Sequence, residues 1–189
     1  MTNMGHIYLY YGTGGGKTAA GLGLALRSLG HGHHVVVVQF LKYWKKTGEY
    51  KMKTVLATLY EIRQYGKPGW LKIGEEGDKF TDGSFTATLR RADEEDAAFA
   101  RKGLNYVKKL LKDDPPELLI LDEACLAAYI GVVDISELIA ILDKIPEKTD
   151  VVLTGRYAPQ ALIDRADFVN EVREIKAPAN FVSREGIQF

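Results

Sequence analysis

The stretch Ile7-Tyr8-Leu9-Tyr10-Tyr11-Gly12-Thr13-Gly14-Gly15-Gly16-Lys17-Thr18 sets the reading of the whole chain. An apolar run enters a glycine-rich turn, and the turn leads into a helix-like run from Thr18 to Leu29. Strand, glycine turn and helix in that order are the setting in which a phosphate-binding loop works. Glycines allow successive backbone N–H groups to curl around an anion without Cβ clashes. The helix N-terminus adds its partial positive charge. Lys17 is placed to reach the outer phosphates and the Thr18 hydroxyl to hold Mg²⁺. Gly12, Thr13, Gly14, Gly15, Gly16, Lys17, Thr18 and Ala19 are therefore the expected nucleotide contacts. The usual G-x-x-x-x-G-K-[ST] pattern would place its first glycine at position 11, where Tyr11 stands, so the loop is compressed and begins at Gly12.

Moving outward, apolar runs of strand length alternate with amphipathic runs of helix length, which predicts a mostly parallel sheet flanked by helices. The fold class expected is α/β, P-loop NTPase-like (RecA-like), in a single domain over 1–189. Val35–Phe40 reads as a strand buried on both faces, and Leu118–Glu123 as another, ending in two acids. Val151–Arg156 reads as a third, ending in a turn, and Phe168–Ile175 as the last. Helices are expected at Ala97–Leu111, with Asp93 as N-cap and Pro115-Pro116 as stop, at Ile135–Ile145 and at Pro159–Ala166. Lys53–Tyr65 reads as a helix running into a short strand. Gly66–Leu89, with five glycines and Pro68, is the least regular part. It is read as a lid or binding loop, or as a loop anchored to the core by its aromatic residues.

Ligands of open α/β sheets bind outside the carboxyl ends of the strands. Asp122 and Glu123 end one strand there, on the same edge as the glycine turn. They are expected to hold Mg²⁺ together with Thr18. Arg156 follows a third strand end, where it meets either a phosphate or a surface ion-pair partner. Gln39, Lys42 and Lys45 follow a fourth and are candidates to line the crevice. His31, His33 and His34 fall at the opposite end of the sheet and read as a solvated turn. Cys125 is expected to pack in a helix, and no Ser-His-Asp or Cys-His arrangement for nucleophilic catalysis is discernible.

Composition sets the outer bounds. The 189 residues carry 25 basic and 25 acidic side chains, a formal net charge of zero, which argues against a general polyanion binder. Lys42-Tyr43-Trp44-Lys45-Lys46 mixes basic and aromatic residues, but it is too short in so neutral a chain to imply nucleic acid. No run suits a membrane span and no signal-peptide pattern is present. One cysteine suits a reducing compartment, so a cytoplasmic location is expected.

Taken in order, the motifs resemble the P-loop branch of the ATP:corrinoid adenosyltransferases. The resemblance rests on the compressed loop Gly12–Thr18, Gly30-His31-Gly32, Val38-Gln39-Phe40-Leu41-Lys42 with Thr47-Gly48-Glu49, Leu119-Ile120-Leu121-Asp122-Glu123, Val152-Leu153-Thr154-Gly155-Arg156, Ala166-Asp167 with Glu171-Val172-Arg173, and Gly186-Ile187-Gln188-Phe189. It implies transfer of the 5′-deoxyadenosyl group of ATP to the Co(I) centre of a corrinoid with release of triphosphate, in cobalamin biosynthesis or salvage. Cobalt is then the nucleophile. Lys17, Thr18 and Glu123 become the catalytic residues, stabilising the leaving triphosphate with Mg²⁺. The family binds ATP in the loop in the reverse sense to ordinary ATPases, which accords with Tyr11. It also implies a homodimer and a flavoprotein reductant. This chain departs from the family's usual Asn, Lys and Thr at Thr13, Gly15 and Ala19, and from a Lys-His pair at Lys176-Ala177. Of the family's Gly-Phe-Thr-Trp motif, Phe80-Thr81 and Phe85-Thr86 are fragments. The alternatives are a small P-loop kinase or ATPase, and a non-catalytic ATP-dependent corrinoid-binding protein.

Overall fold

A computed structural model describes residues 5–73, 79–82, 85–178 and 184–188, with the side chains of 80–87 outside the description. Six strands form one sheet: β1 (Ile7–Tyr11), β2 (Val35–Phe40), β3 (Tyr60–Tyr65), β7 (Leu118–Asp122), β8 (Asp150–Gly155) and β9 (Phe168–Glu171), in the order β3-β2-β7-β8-β1-β9. All five ladders are parallel. Parallel neighbours require crossovers, and helices supply them. These are α1 (Lys17–Gly30), α2 (Gly48–Val55), α3 (Glu94–Asp113), α4 (Ala124–Tyr129), α5 (Ile135–Leu142) and α6 (Gln160–Arg165). The α/β class and the parallel sheet are as the alternating pattern predicts.

Every residue of β2 is buried, because each face of the strand meets a different helix layer. Val35 and Val37 join Ala25 of α1, Ile62, Ile120 and Val152 on one side. Val36, Val38 and Phe40 join Leu104 and Val107 of α3, Leu119, Leu121 and Leu153 on the other. The period of two in a strand divides one run of valines between two cores.

Helix and strand ends shift by one to three residues elsewhere, and three segments depart further from the sequence reading. The helix expected from Lys53 begins at Gly48 and ends at Val55, where Ala57 takes φ 47° and turns the chain toward β3. The last strand ends at Glu171 rather than Ile175. Beyond it, Val172 donates its N–H to Tyr11 O at 2.7 Å and accepts from Gly14 N at 2.9 Å, so the chain folds over the glycine turn instead of extending. The third is the segment 66–89, expected to be irregular. It carries a second sheet of β4 (Trp70–Leu71), β5 (Lys79–Asp82) and β6 (Phe85–Arg90) in the order β4-β6-β5. The Thr-rich Phe85–Arg90 run has strand propensity that the density of glycine around it masks. Residues 74–78 and 83–84 of this segment, and 179–183 and 189 at the C-terminal end, lie outside the described residues.

The small sheet is tied to the start of α3 by charge. Arg90 grips buried Asp96 through its two terminal guanidinium nitrogens, Nη2 at 2.8 Å, and Lys67 bonds Asp93 and Glu95 at 2.5 and 2.9 Å. Asp93 caps α3 as the sequence predicts, accepting from Glu95 N and Asp96 N, while Asp96 accepts from Asp93 N.

Candidate active site

Four strand ends converge at the carboxyl edge of the sheet, and the backbone there is strained. Leu41 just after β2, Glu123 just after β7 and Tyr157 just beyond β8 take positive φ of 59°, 59° and 53°. Each costs on the order of 1–3 kcal/mol, and such residues cluster where geometry serves function.

The glycine turn occupies the end of β1. Gly12 takes φ 123°, and a Cβ there would lie 2.4 Å from Val172 O. A Cβ on Gly14 would lie 2.7 Å from Arg173 C. The turn is thus glycine partly because the chain after β9 packs directly on it, a contact between residues 160 apart that no local pattern announces. Gly16, the N-cap of α1, takes φ 93° and offers no side-chain cap, and the first turn of α1 holds no acid. By contrast Asp93 and Asp134 cap α3 and α5. The leading N–H groups of α1 are therefore left open for an anion. Lys17 is buried and donates to Gly14 O across the turn. Burial holds its amine below the usual lysine range, against Glu123 and aided by Arg156. Thr13, Gly15, Gly16 and Ala19 lie exposed on the rim.

Asp122 is the centre of the site. Its Oδ1 accepts from Thr18 Oγ1 at 2.8 Å and Thr154 Oγ1 at 2.5 Å. Its Oδ2 accepts from Lys42 Nζ at 2.6 Å and Gln39 Nε2 at 2.9 Å. Burial alone would raise its pKa, but Lys42 and these hydroxyls reverse that and hold the carboxyl below the usual range. Burial likewise disfavours the Lys42 ammonium, and Asp122 and Glu123 outweigh it. Lys42 also donates to Thr18 Oγ1 at 3.2 Å. Sheet register creates the arrangement: Gln64, Gln39 and Asp122 stand in one row across β3, β2 and β7. Gln64 Nε2 continues the row to Gln39 Oε1 at 2.9 Å, and Gln39 also reaches Glu49 Oε1 at 3.3 Å.

Glu123 differs from its neighbour. Its N–H donates to Thr154 Oγ1 at 3.1 Å, but its Oε2 is buried with no hydrogen-bond partner. Burial, and then the charge of Asp122, push its pKa up. Lys42, Lys17 and Arg156 all act on it electrostatically, so Arg156, though exposed, stands at the same site.

The structure thus brings Lys17, Thr18, Gln39, Lys42, Asp122, Glu123 and Arg156 together, as the strand-end argument predicts. Sequence reasoning passed over Thr154, Gln64 and Glu49. Thr154 and Glu49 lay inside quoted motifs without a role, and Gln64 had no signal except a polar residue at a strand's carboxyl end. The histidines sit in a turn, with His33 Nδ1 3.1 Å from Ser28 Oγ. Cys125 packs in α4, where burial pushes its thiol up, far from a nucleophile's range. Among the described residues no cluster of three or more His, Cys, Asp or Glu could hold a metal, and no helix is long and apolar enough to cross a membrane.

A parallel sheet whose first strand feeds an uncapped glycine turn, with lysine and threonine opening the next helix beside an acidic strand end, defines a P-loop-type α/β protein. The family model described as ATP:corrinoid adenosyltransferase BtuR/CobO/CobP matches residues 3–189. A corrinoid adenosyltransferase of a Sinorhizobium species is 32% identical over 188 residues, 98% of this chain and 80% of that protein. Those of Pseudomonas aeruginosa PAO1, at 30% over 98% of this chain and 84% of that one, and Escherichia coli K12, at 28% over 91% and 78%, are also similar. This chain belongs to the ATP:corrinoid adenosyltransferase family and is an enzyme of that type.

Proposed function

We propose that this chain joins the 5′-deoxyadenosyl group of ATP to the cobalt of a Co(I) corrinoid and releases triphosphate. The observation that carries the reading is an anion cradle joined to a cationic and acidic site with no activated nucleophile beside it among the described residues. Cys125 is buried and poorly ionised, and the hydroxyls of Thr18 and Thr154 are committed to Asp122. A site of this kind suits a reaction whose nucleophile arrives with a substrate. Cobalt donates an electron pair to C5′, the C5′–O bond breaks, and the pair leaves on the triphosphate.

The residues then share out the work. The N–H groups of Gly15–Thr18 and the Lys17 ammonium bind the polyphosphate and stabilise the charge that grows on it. For that, Lys17 turns from Gly14 O to the ligand. Arg156 supplies a second cation from the opposite wall. The donor set fits Mg²⁺: hard oxygens from Thr18, Glu123 and Asp122, one of them the partnerless Glu123 Oε2. The ion would draw charge from the leaving triphosphate. Because four hydrogen bonds already fill Asp122, Glu123 and Thr18 are the more accessible ligands, and Lys42 holds Asp122 in place.

Anaerobic incubation with Mg-ATP and chemically reduced cobalamin tests the whole reading. Adenosylcobalamin with one triphosphate per cobalt is the expected result. ADP and phosphate with unchanged corrinoid would instead make the chain an ATPase or kinase.

A further inference from the structure

We propose that Tyr157 and Tyr129 are positioning residues for Arg156, their stacked rings forming the second of two contacts that fasten the arginine to α4. The inference rests on the reading of Arg156 as a cation for the polyphosphate and adds to it what holds that cation in place. Arg156 is exposed, and among the described residues it makes no hydrogen bond or ion pair. A side chain without a partner is aimed by its backbone. Gly155, just before it, takes φ 143°, and a Cβ there would stand 2.9 Å from Cys125 Cβ and from Leu126 N of α4. Tyr157, just after it, takes φ 53° and lays its ring on Tyr129 at the end of α4, 5.1 Å between centroids with planes inclined by 30°. Arg156 is thus bracketed by two contacts to one helix.

That helix starts at Glu123, its N-cap, so one short element begins at the acid and clamps the arginine's neighbours on both sides. Sheet register sets the other reference point. Gly155 pairs with Tyr11, the last residue of β1, so Arg156 leaves β8 where the glycine turn leaves β1. The arginine acts electrostatically on both Lys17 and Glu123 from there. Tyrosine at positive φ is strained, and glycine would make the same turn without strain. Such strain persists where the surroundings over-determine it. Burial does not account for the tyrosine, since Tyr157 and Tyr129 are both exposed. Neither hydroxyl has a hydrogen-bond partner among the described residues, so the pair supplies the ring contact itself. An arginine held by its backbone has lost much of its freedom before the polyphosphate arrives, and that ordering strengthens both binding and the stabilisation of the leaving group.

The test uses intact Arg156→Ala, Tyr157→Gly, Tyr129→Ala and Tyr157→Phe chains, with inorganic tripolyphosphate and Mg²⁺ as the probe in calorimetry. The Kd for Mg-ATP and the urea midpoint are measured alongside. Arg156→Ala is expected to raise the tripolyphosphate Kd about tenfold. Tyr157→Gly and Tyr129→Ala should raise it in the same direction by about threefold or more, with the Mg-ATP Kd moving in step. Tyr157→Phe keeps the stack and should keep the native values. The urea midpoint of Tyr157→Gly should not fall, because glycine relieves the positive φ. Affinity lost without stability lost is the mark of a positioning role. Native tripolyphosphate affinity in both tyrosine variants, beside a weakened Arg156→Ala, would overturn the proposal alone. So would a midpoint of Tyr157→Gly that falls with its affinity, or a Tyr157→Phe chain as weak as Tyr157→Gly. A rise confined to the Mg-ATP Kd would overturn it by seating the base of ATP on the rings. Unchanged affinity in Arg156→Ala would remove the role of Arg156 and the proposal together. Tripolyphosphate binding needs no corrinoid, so each outcome is read whether or not the chain transfers the adenosyl group.

Discussion

Adjacent carboxylates with opposite shifts are the residue-scale feature that most needs a reason. Asp122 is held ionised by Lys42 and three further donors, while Glu123, one residue on and at positive φ, is half-buried and has a buried oxygen, Oε2, with no hydrogen-bond partner. Two neighbouring acids driven apart by their surroundings take different tasks. In the proposed mechanism Asp122 would position Thr18 and Lys42, and Glu123 would meet an incoming cation. Glu123→Gln keeps the shape and removes the charge. The Mg²⁺ concentration for half-maximal activity should rise by about tenfold or more. Urea unfolding should show equal or greater stability, since a buried charge without a hydrogen-bond partner for Oε2 has been removed. An unaltered Mg²⁺ titration would assign Glu123 to structure. Both acids were legible in the sequence because they end a strand; their division of labour was not, because it depends on Lys42 and Thr154 arriving from other strands.

At the scale of elements, strands and helices were read from periodicity, and the boundaries that moved did so under long-range contacts. β9 stops where Val172 turns onto the glycine loop, and the strands in 66–89 were hidden by glycines that a local reading takes as loop. The start of α3 was legible, since Asp93 stands where an N-cap belongs. The hydrogen bond from Lys67, followed by those from the Asp96 and Glu95 amides, depresses the Asp93 pKa from 3.8 to about 2. A folded pKa below the unfolded one means a contribution present in full above pH 3.8 and lost as pH falls through about 2. Asn still caps but carries no charge. The stability difference between the native chain and Asp93→Asn, from urea melts across that range, should therefore shrink toward the acid end. A difference that stays constant would deny the charge any part. A second element-scale expectation concerns Gly103, where α3 crosses β2. A Cβ there would stand 2.9 Å from Phe40 Cε1 and 3.1 Å from the Tyr65 ring. Alanine gains about 1 kcal/mol of helix propensity, but overpacking a buried ring costs about 1–3 kcal/mol. Gly103→Ala should lower the urea midpoint, and a raised midpoint would show that Phe40 has room to move.

For the whole molecule, the glycine turn joins the two ends of the chain. β1 leads into it, α1 leads out, and the segment after β9 closes over it, so a ligand bound there braces N- and C-terminal parts at once. A ligand that binds only the folded chain at a hundred times its Kd adds about 2.7 kcal/mol to stability. For a chain of this size that is a rise in Tm of about 5–10 °C. Saturating Mg-ATP should produce such a rise in a thermal melt without any corrinoid. Lys17→Ala should abolish most of it, because the ammonium is the cation inside the turn. The same variant should melt no lower than the native chain when unliganded, since Lys17 is a buried amine whose charge burial already disfavours. That control separates loss of ligand from loss of fold. If native chain and variant gain equally from Mg-ATP, the turn is not where the polyphosphate binds. If neither gains, the turn does not bind ATP before the acceptor does. In that case the two substrates must be added together for the melt to move.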